Sequence, residues 1–588
     1  MPCRIFDAFE RTATSRPAAP ALRTKRQGTW ETLTWRDYHR QSLRAARALI
    51  ALGIERGEHT AILGYNCVEW FVAEIATIAA GAIPTGIYTT NTAEQCQYIA
   101  SHCDARVVFV ENEEQLAKFR VIRAQLPELK VIVQMHGEPD ASEALSWERF
   151  LEVGDTVAEA RVDERAAAQK LDDVCLLIYT SGTTGIPKAA MLTHRNVSWQ
   201  VEQVAALIGV RAADDMISYL PLSHVAEQLF ALQSNVMLGT CVWFAESMEH
   251  LGEALRDVRP HHFLAVPRVW EKIQSKMEAA GAASPWPRRR IAAWARHVGA
   301  AGGEALQRGE SMPFFYGLAN RLVFSKVRRA LGLDRARTLV TGAAPISLRT
   351  VEFFLSLGMP ICEVYGMSET TAATTISTPT EFRVGRAGRV LPGVEMRIAE
   401  DGEICVRGPH VFKGYYKDAH ATREMLDADG WLHTGDVGDL DPDGYLAITD
   451  RKKELIITAG GENVAPQLVE GELKSIPVVN QAVVIGDRRR YLSVLLTLDA
   501  ERLPQVASDV GSPARDPEEA SRCARFAAYL QREIEKVNLR LARVQTIKKF
   551  AVLPRELSIA GGELTPTLKL RRKRIAEIHA AEIEAMYQ

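Results

Sequence analysis

The stretch YTSGTTGIPK, residues 179–188, holds two glycines, three threonines, a serine and a closing lysine. Glycines let backbone N–H groups turn inward, hydroxyls add donors, and Lys188 adds positive charge, a combination suited to phosphate. It is not a Walker A loop: the spacing from Gly182 to Lys188 is wrong, and no Ser or Thr follows the lysine. Taken alone, it reads equally well as a surface turn. EVYGMSET (363–370) puts a ring, a glycine and an acid in one short turn. Tyr365 can stack on a base, and Glu369 can hold a divalent metal as a hard oxygen ligand. GWLHTGDVG (430–438) sets Asp436 in a Gly-flanked turn, where a carboxylate can accept two ribose hydroxyls. Singly, each again has a plain structural reading: an aromatic after a strand is usually core, and TGD is a common turn.

These residues need a scaffold. The apolar run VCLLIY leads into the loop as a buried strand, and a helix-compatible segment follows it. HTAILGY (59–65), ARVVFV (105–110) and KVIVQM (130–135) read as further strands, with helices over LRAARALIALG (43–53) and EQCQYIASH (94–102). CVWFAE (241–246), HHFLAV (261–266) and RTLVTG (337–342) continue the pattern. The alternation predicts parallel sheet with helices on its faces. From about residue 390 short strands between Gly and Asp turns predict a smaller β-rich unit. After residue 465 come a helix, two strands and a long charged helix over 517–545, an α+β unit bordered by the charged seam ITDRKKELI (448–456). Residues 271–335 are helical, basic and aromatic; they read as amphipathic helices packed on the sheet, and they also permit a peripheral membrane contact.

The 588 residues allow roughly three to five domain-sized units, and 47% hydrophobic residues supply ample core. A formal charge of −2 argues against a nucleic-acid binder. Nine scattered cysteines without a CxxC pair argue against a disulfide framework or zinc site and for a reducing compartment. The N-terminus carries charges where a signal peptide needs an apolar core. The most apolar stretch, FVAEIATIAAGAIPTGIY (71–88), contains Glu74 and Pro84 and reads as a buried helix, turn and strand rather than a membrane span. The expectation is a cytoplasmic protein, either wholly soluble or peripheral at a membrane.

TSGTTGIPK, YGMSET, HTGD, DRKKELIITAGGENV and LTPTLKLRR occur in this order across most of the chain. Together they closely resemble the adenylate-forming enzymes, the superfamily of acyl-CoA synthetases, luciferases and peptide-synthetase adenylation domains. The resemblance implies an α/β fold: a large N-terminal domain of stacked sheets with a small β-rich subdomain (1–450), then a small mobile α+β C-terminal domain (451–588) hinged near Lys453. It implies ATP and Mg²⁺ as cofactors, with Thr183 and Glu369 at the metal. Ser181, Thr183, Thr184 and Lys188 become phosphate-loop contacts, with Thr180, Gly182 and Gly185 in the same nucleotide-binding stretch. Gly342, Ala343 and Ala344 of TGAAP lie near adenine and the acyl carbonyl. Glu363, Val364, Tyr365, Gly366, Met367 and Ser368 form the adenine wall, Asp436 takes the ribose, and Arg451 also reaches it. Lys569 contacts the carboxylate and α-phosphate; Lys573 is an alternative register. Lys569, Lys188, Thr184 and Glu369 are thus the candidate catalytic residues.

Within the superfamily the chain looks most like long-chain fatty acyl-CoA synthetases, including the bubblegum-type group, on SYLPLSHVAEQ, VPRVWEKI and the long segment between Trp270 and Thr341. A deep tunnel would select long acids, since each buried CH₂ contributes about 0.8 kcal/mol. His224 and Trp270 are assigned to the acyl channel, and Gly460 and Gly461 to the passage of coenzyme A. Coenzyme A brings its own thiol, so no protein nucleophile is needed. Fatty acid, ATP and CoA are the expected partners, with no nucleic acid, and the chain is a monomer or a homodimer. The rival readings are a ligase for an aryl or medium-chain acid, an acyl-AMP ligase loading a carrier protein, and a non-catalytic nucleotide- or acyl-binding relative.

Overall fold

The computed structural model describes residues 2–180, 186–460, 462–565 and 569–588. The candidates Ser181, Gly182, Thr183, Thr184, Gly185 and Gly461 lie outside them. The apolar runs form strands as expected. Leu145–Ser146, Val131–Gln134, Ala105–Val110, His59–Leu63, Ile83–Ile87 and Val174–Thr180 lie side by side and parallel in one sheet. HTAIL is buried at every position, as a strand covered on both faces must be. The 71–88 stretch is the buried helix Val68–Ala79 followed by the strand Ile83–Ile87.

The segment after the phosphate-loop motif departs from expectation. The chain returns as a strand, Lys188–Thr193, antiparallel to Val174–Thr180 with Thr180 opposite Lys188, and helix His194–Ile208 starts only after it. The alanines of KAAMLT favour a helix, but pairing satisfies backbone groups on both sides of this strand. On its outer side the Met191 N–H donates to the Gly414 carbonyl at 2.9 Å, and the Tyr416 N–H to that of Ala189 at 2.9 Å. Thr193 and Asn196 then cap the helix reciprocally.

A second sheet of nine strands runs in the order Arg389–Val390, Thr375–Ile376, Ile361–Tyr365, Thr338–Thr341, His262–Ala265, Asp215–Ser218, Cys241–Phe244, Pro20–Arg26, Thr29–Thr34. Asn66, just past a strand of the first sheet, ties the two sheets together. Its amide donates to Ser218 Oγ at 2.8 Å and to the Leu220 carbonyl at 2.7 Å. Ser218 Oγ and the Tyr219 N–H in turn donate to the buried Glu227 carboxylate at 2.6 and 3.1 Å. Burial nonetheless pushes Glu227 up to about 8.

The β-rich unit is an antiparallel sheet of Glu395–Ile398, Glu403–Arg407, Leu432–Leu440 and Leu446–Arg451. Beyond it, Val479–Ile485, Leu492–Leu498 and Ile547–Val552 form a three-stranded sheet. The long helix expected over 517–545 is two helices, Pro517–Arg522 and Ala524–Asn538, because Cys523 between them is extended. The break lets Ala520 and Phe526 enter one core. Among the described residues, no apolar cluster joins side chains from both sides of Arg451–Leu455. The contact between the two sides is polar. Arg502 donates to Ser275 Oγ at 2.6 Å and pairs with Glu278 at 3.3 Å. Arg349 donates to the Ser475 carbonyl at 3.1 Å, and Arg268 pairs with Glu556 at 2.9 Å.

Residues 267–331 form helices Pro267–Ala282, Trp286–Arg308, Tyr316–Ala319 and Ser325–Leu331, which share an apolar cluster through Trp270, Ala295, Val298 and Phe324. No helix among the described residues is long and apolar enough to cross a membrane. Phe354 anchors this cluster, fully buried with its ring edge-on to Trp270 at 5.1 Å. Phe354→Ala is expected to cost about 3–5 kcal/mol and to lower the apparent melting temperature in a calorimetric scan. An unchanged melting temperature would place the ring outside the core.

Candidate active site

Two strand ends meet at Asp436, itself in the middle of a strand. Tyr365 closes the strand Ile361–Tyr365, and Asp436 and Arg451 face each other across the antiparallel pair Leu432–Leu440 and Leu446–Arg451. The Tyr365 hydroxyl donates to Asp436 Oδ2 at 2.9 Å, and Arg451 Nε pairs with Oδ1 at 3.1 Å. Burial raises the Asp436 pKa; the Arg451 charge and the Tyr365 donor oppose it. Each carboxylate oxygen therefore has one partner and a further lone pair to offer.

The turn that follows Tyr365 is tightly built. A Cβ at Gly366 would lie 1.6 Å from the Ala372 carbonyl oxygen, so only glycine fits. Thr371 and Ala372 both take left-handed backbone, at φ 51° and 80°. Ala343, in the neighbouring TGAAP turn, does so too, at φ 71°. Non-glycine residues held there store strain that the surrounding structure must offset, a pattern that clusters at functional sites. Gly342 faces the Val364 carbonyl, 3.1 Å from where its Cβ would be. Met367 and Ser368 lead into the single turn Ser368–Thr370, which presents Glu369.

Glu369 is buried, and its Oε1 accepts from the Tyr415 hydroxyl at 2.5 Å. Burial raises its pKa, while the Tyr415 donor, Arg451 and Lys569 pull the other way. The Tyr415 ring also lies 5.2 Å beneath Lys188 Nζ, which is 3.9 Å from Asp418 Oδ2. Thr180 Oγ1 donates to the Lys188 carbonyl at 3.3 Å, closing the base of the hairpin. Tyr415 thus joins the loop lysine to the acid. Sequence reasoning missed it, because FKGYY offers no spacing or charge signal that separates it from a core tyrosine.

Lys569 arrives from the other end of the chain. It is half-buried, within electrostatic reach of Arg451, Asp436, Glu369 and Glu454. Burial and the Arg451 charge push its ammonium down to about 8, against the pull of the three carboxylates. Its N–H donates to Thr565 Oγ1 at 3.0 Å, which fixes the backbone that presents it. Lys573 is exposed. Glu454 is a second residue that sequence reasoning passed over; it also holds Arg572 at 3.0 Å.

His224 lies within the field of Lys569. Its Nδ1 accepts the Ala226 N–H at 3.2 Å, and burial with the Lys569 charge lowers it to about 4. The ring is therefore neutral near pH 7. Burial pushes Glu363 up to about 8. Trp270 is fully buried, its Nε1 donating to the Val340 carbonyl at 3.3 Å, so it is a wall of the core behind the strand that leads to Gly342. Ala344 is exposed, Gly460 lies exposed with Thr458 Oγ1 3.8 Å from where its Cβ would be, and Lys453 is exposed between Lys452 and Glu454.

The site gathers Lys188, Arg451 and Lys569 around Asp436 and Glu369. Such a set suits a polyanion with a divalent cation. Among the described residues Glu369 has one side-chain hydrogen-bond donor, Tyr415, and is a hard oxygen ligand, so it fits Mg²⁺.

Two family models match: AMP-binding enzyme over residues 9–416 and AMP-binding enzyme C-terminal domain over 453–588. A curated relative, the long-chain-fatty-acid–CoA ligase ACSBG2 of Xenopus laevis, is 40% identical over 100% of this chain and 84% of its own. Among solved structures, the anthranilate CoA ligase AuaEII in complex with anthranoyl-AMP superposes with a TM-score of 0.74 at 20% identity, covering 99% of this chain and 98% of that one. ATP-bound MatB from Rhodopseudomonas palustris gives 0.73 at 21% identity, covering 98% and 99%.

Tyr415→Phe removes the donor to Glu369. Its buried carboxyl then moves further up, and a raised carboxyl pKa withdraws stability as pH rises through the unfolded value toward the folded one. The variant is expected to lose about 1.5–3 kcal/mol at neutral pH and less in mild acid, read from urea midpoints. Equal losses at both would mean that Glu369 is not ionised in the native state.

Proposed function

The chain belongs to the AMP-binding enzyme family, and from that premise we propose that it is an ATP-dependent long-chain fatty acid:CoA ligase. The observation that carries the reading is the meeting of Lys569, from the chain's end, with Asp436, Glu369 and Arg451. A cation there serves a reaction in which a carboxylate approaches a phosphate.

In the first step an oxygen of the acid's carboxylate bonds to the α-phosphorus of ATP and the α–β bridge breaks, releasing pyrophosphate. Two anions are forced together, so the chain's work is neutralisation and alignment. Lys569 sits between acid and α-phosphate. Lys188, with Thr180 and the loop residues Ser181, Gly182, Thr183, Thr184 and Gly185, takes the β- and γ-phosphates. Asp436 accepts the ribose hydroxyls with its remaining lone pairs, and Arg451 steadies that carboxylate. Adenine stacks on Tyr365 between Gly342–Ala344 and Glu363–Ser368. Glu369 and Thr183 would hold Mg²⁺, which spreads the phosphate charge.

In the second step the thiol of coenzyme A attacks the acyl carbonyl and AMP leaves. Residues 451–588 are read as the unit that turns about Lys453 between the steps; its polar contact with the rest of the chain suits such a motion. Gly460 and Gly461 leave room for the pantetheine arm. Neutral His224 can stand at the mouth of an apolar acyl channel at little desolvation cost, with Trp270 behind its wall. The chain length is read from the curated relative's activity and from the long 270–341 segment. The uninterrupted run DRKKELIITAGG favours CoA over a carrier protein.

Assays of AMP release, with acids from acetate through palmitate to lignocerate plus benzoate, with and without CoA, test the substrate. A CoA-dependent maximum among the long chains is expected. A maximum on short or aryl acids would overturn the substrate and keep the adenylation; no AMP with any acid would overturn the ligase. Lys569→Ala is expected to lower adenylate formation about 10²–10³-fold, yet leave thioester formation from supplied acyl-adenylate largely intact. Equal loss of both would remove Lys569 from the first step. Because the free ammonium titrates at about 8, kcat/KM for ATP should fall as pH rises through that value, and Lys569→Arg should abolish this limb.

A further inference from the structure

Seven large apolar side chains stand exposed within the short span 286–322: Trp286, Ile291, Met312, Phe314, Phe315, Leu318 and Leu322. They are seven of the 17 such residues among all those described, so this is a patch and not scatter. Phe314 is 93% exposed, the most of any. Its centre is joined by ring contacts. Phe314 touches Phe315 edge-on at 5.1 Å, and Phe315 reaches Trp294 of the helix Trp286–Arg308 at 6.4 Å. The segment is seated on that helix where Gly302 admits Tyr316, whose ring would lie 2.5 Å from a Cβ there. Leu318 and Leu322 follow at helical spacing.

The charge around the patch has one sign. Residues 286–331 contain nine Lys and Arg against two Glu, in a chain whose net charge is −2. Arg288, Arg289, Arg290, Arg321, Lys326 and Arg329 are all exposed. Among the described residues none of these six pairs with a carboxylate; elsewhere on the surface, arginines usually do. Arg290 instead lies over the Trp286 ring at 5.2 Å. Exposed aromatics and leucines ringed by unpaired cations match the interface of an anionic bilayer, where rings enter the headgroup region and guanidinium groups meet phosphates. A nucleic acid would not take up the aliphatic part, and a soluble acidic partner would not call for a ring as bare as Phe314. Beneath, the same helices share one apolar cluster with Trp270.

We infer that this face, centred on Phe314 and Phe315 and flanked by Arg288–Arg290, docks the protein peripherally on anionic phospholipid. The inference rests on exposure, packing and charge, and goes beyond the ligase reading.

Flotation of the full chain with vesicles of phosphatidylcholine mixed with phosphatidylglycerol tests it. Binding is expected to the mixed vesicles, not to phosphatidylcholine alone, and to fade as salt rises. Reversing the three arginines (R288E, R289E, R290E) should weaken it more than about a hundredfold. Phe314→Ser with Phe315→Ser should weaken it about tenfold even at low salt, with AMP release on a water-soluble acid unchanged. No flotation with the mixed vesicles, or flotation that neither variant alters, would overturn the inference. So would a dimer, seen by light scattering, that the two Phe substitutions split: the patch would then be a contact between copies of this chain.

Discussion

Everything at the candidate site depends on keeping charge buried without leaving it unpaired. Asp436 is removed from water, and a bare carboxylate there would take up a proton and lose its use. Arg451 and the Tyr365 hydroxyl prevent that, one on each oxygen. Yet Arg451 in turn presses on the Lys569 ammonium. The site is a balance in which each ion sets the cost of the next. Its members accordingly come from separate elements: Tyr365 from a strand end, Asp436 and Arg451 from paired strands, Glu369 from a turn and Lys569 from near the C-terminus. No single element can present both signs of charge to one point without pairing them with each other first.

The sheets exist to bring those ends together. Parallel strands finish at one edge, and the turns beyond Thr341 and Tyr365 leave that edge side by side. The Asn66–Ser218–Glu227 network keeps the two sheets in step. The strained turns at Ala343, Thr371 and Ala372 hold Gly342, Tyr365 and Glu369 against that frame. Behind it lies a packed core in which Phe263 and Phe354 each meet Trp270 edge to face.

Much of this was legible in the sequence. β-branched runs such as ARVVFV became central strands, since only a doubly covered strand tolerates such apolarity. The motif residues Tyr365, Glu369, Asp436 and Lys569, singled out by resemblance, lie close together. What escaped was decided by tertiary context. KAAMLT has helix-forming alanines, but a neighbouring open edge and the 413–416 segment claimed it as a strand. The run 517–545 carries helix formers throughout, yet two faces had to reach one core, so it broke at Cys523. Tyr415 was invisible because its value lies in a hydroxyl meeting Glu369 across 46 positions, a relation no local pattern encodes. The phosphate-loop residues Ser181–Gly185 remain a reading from resemblance.

The seam between residues 1–450 and 451–588 is carried largely by guanidinium contacts: Arg502 with Ser275 and Glu278, Arg349 with Ser475, Arg268 with Glu556. Partly exposed pairs of this kind contribute only about 0–1 kcal/mol each, since water replaces what is lost when they part. An oily seam of equal area would act as glue, exposing apolar surface on every separation and holding one posture. Under the proposed turn about Lys453, a wetted seam would act as a bearing: it would specify where the two parts rest while leaving the resting place shallow. Speed of motion and definition of pose, which pull against each other in a greasy joint, would then be set independently, the first by the number of contacts and the second by their directions.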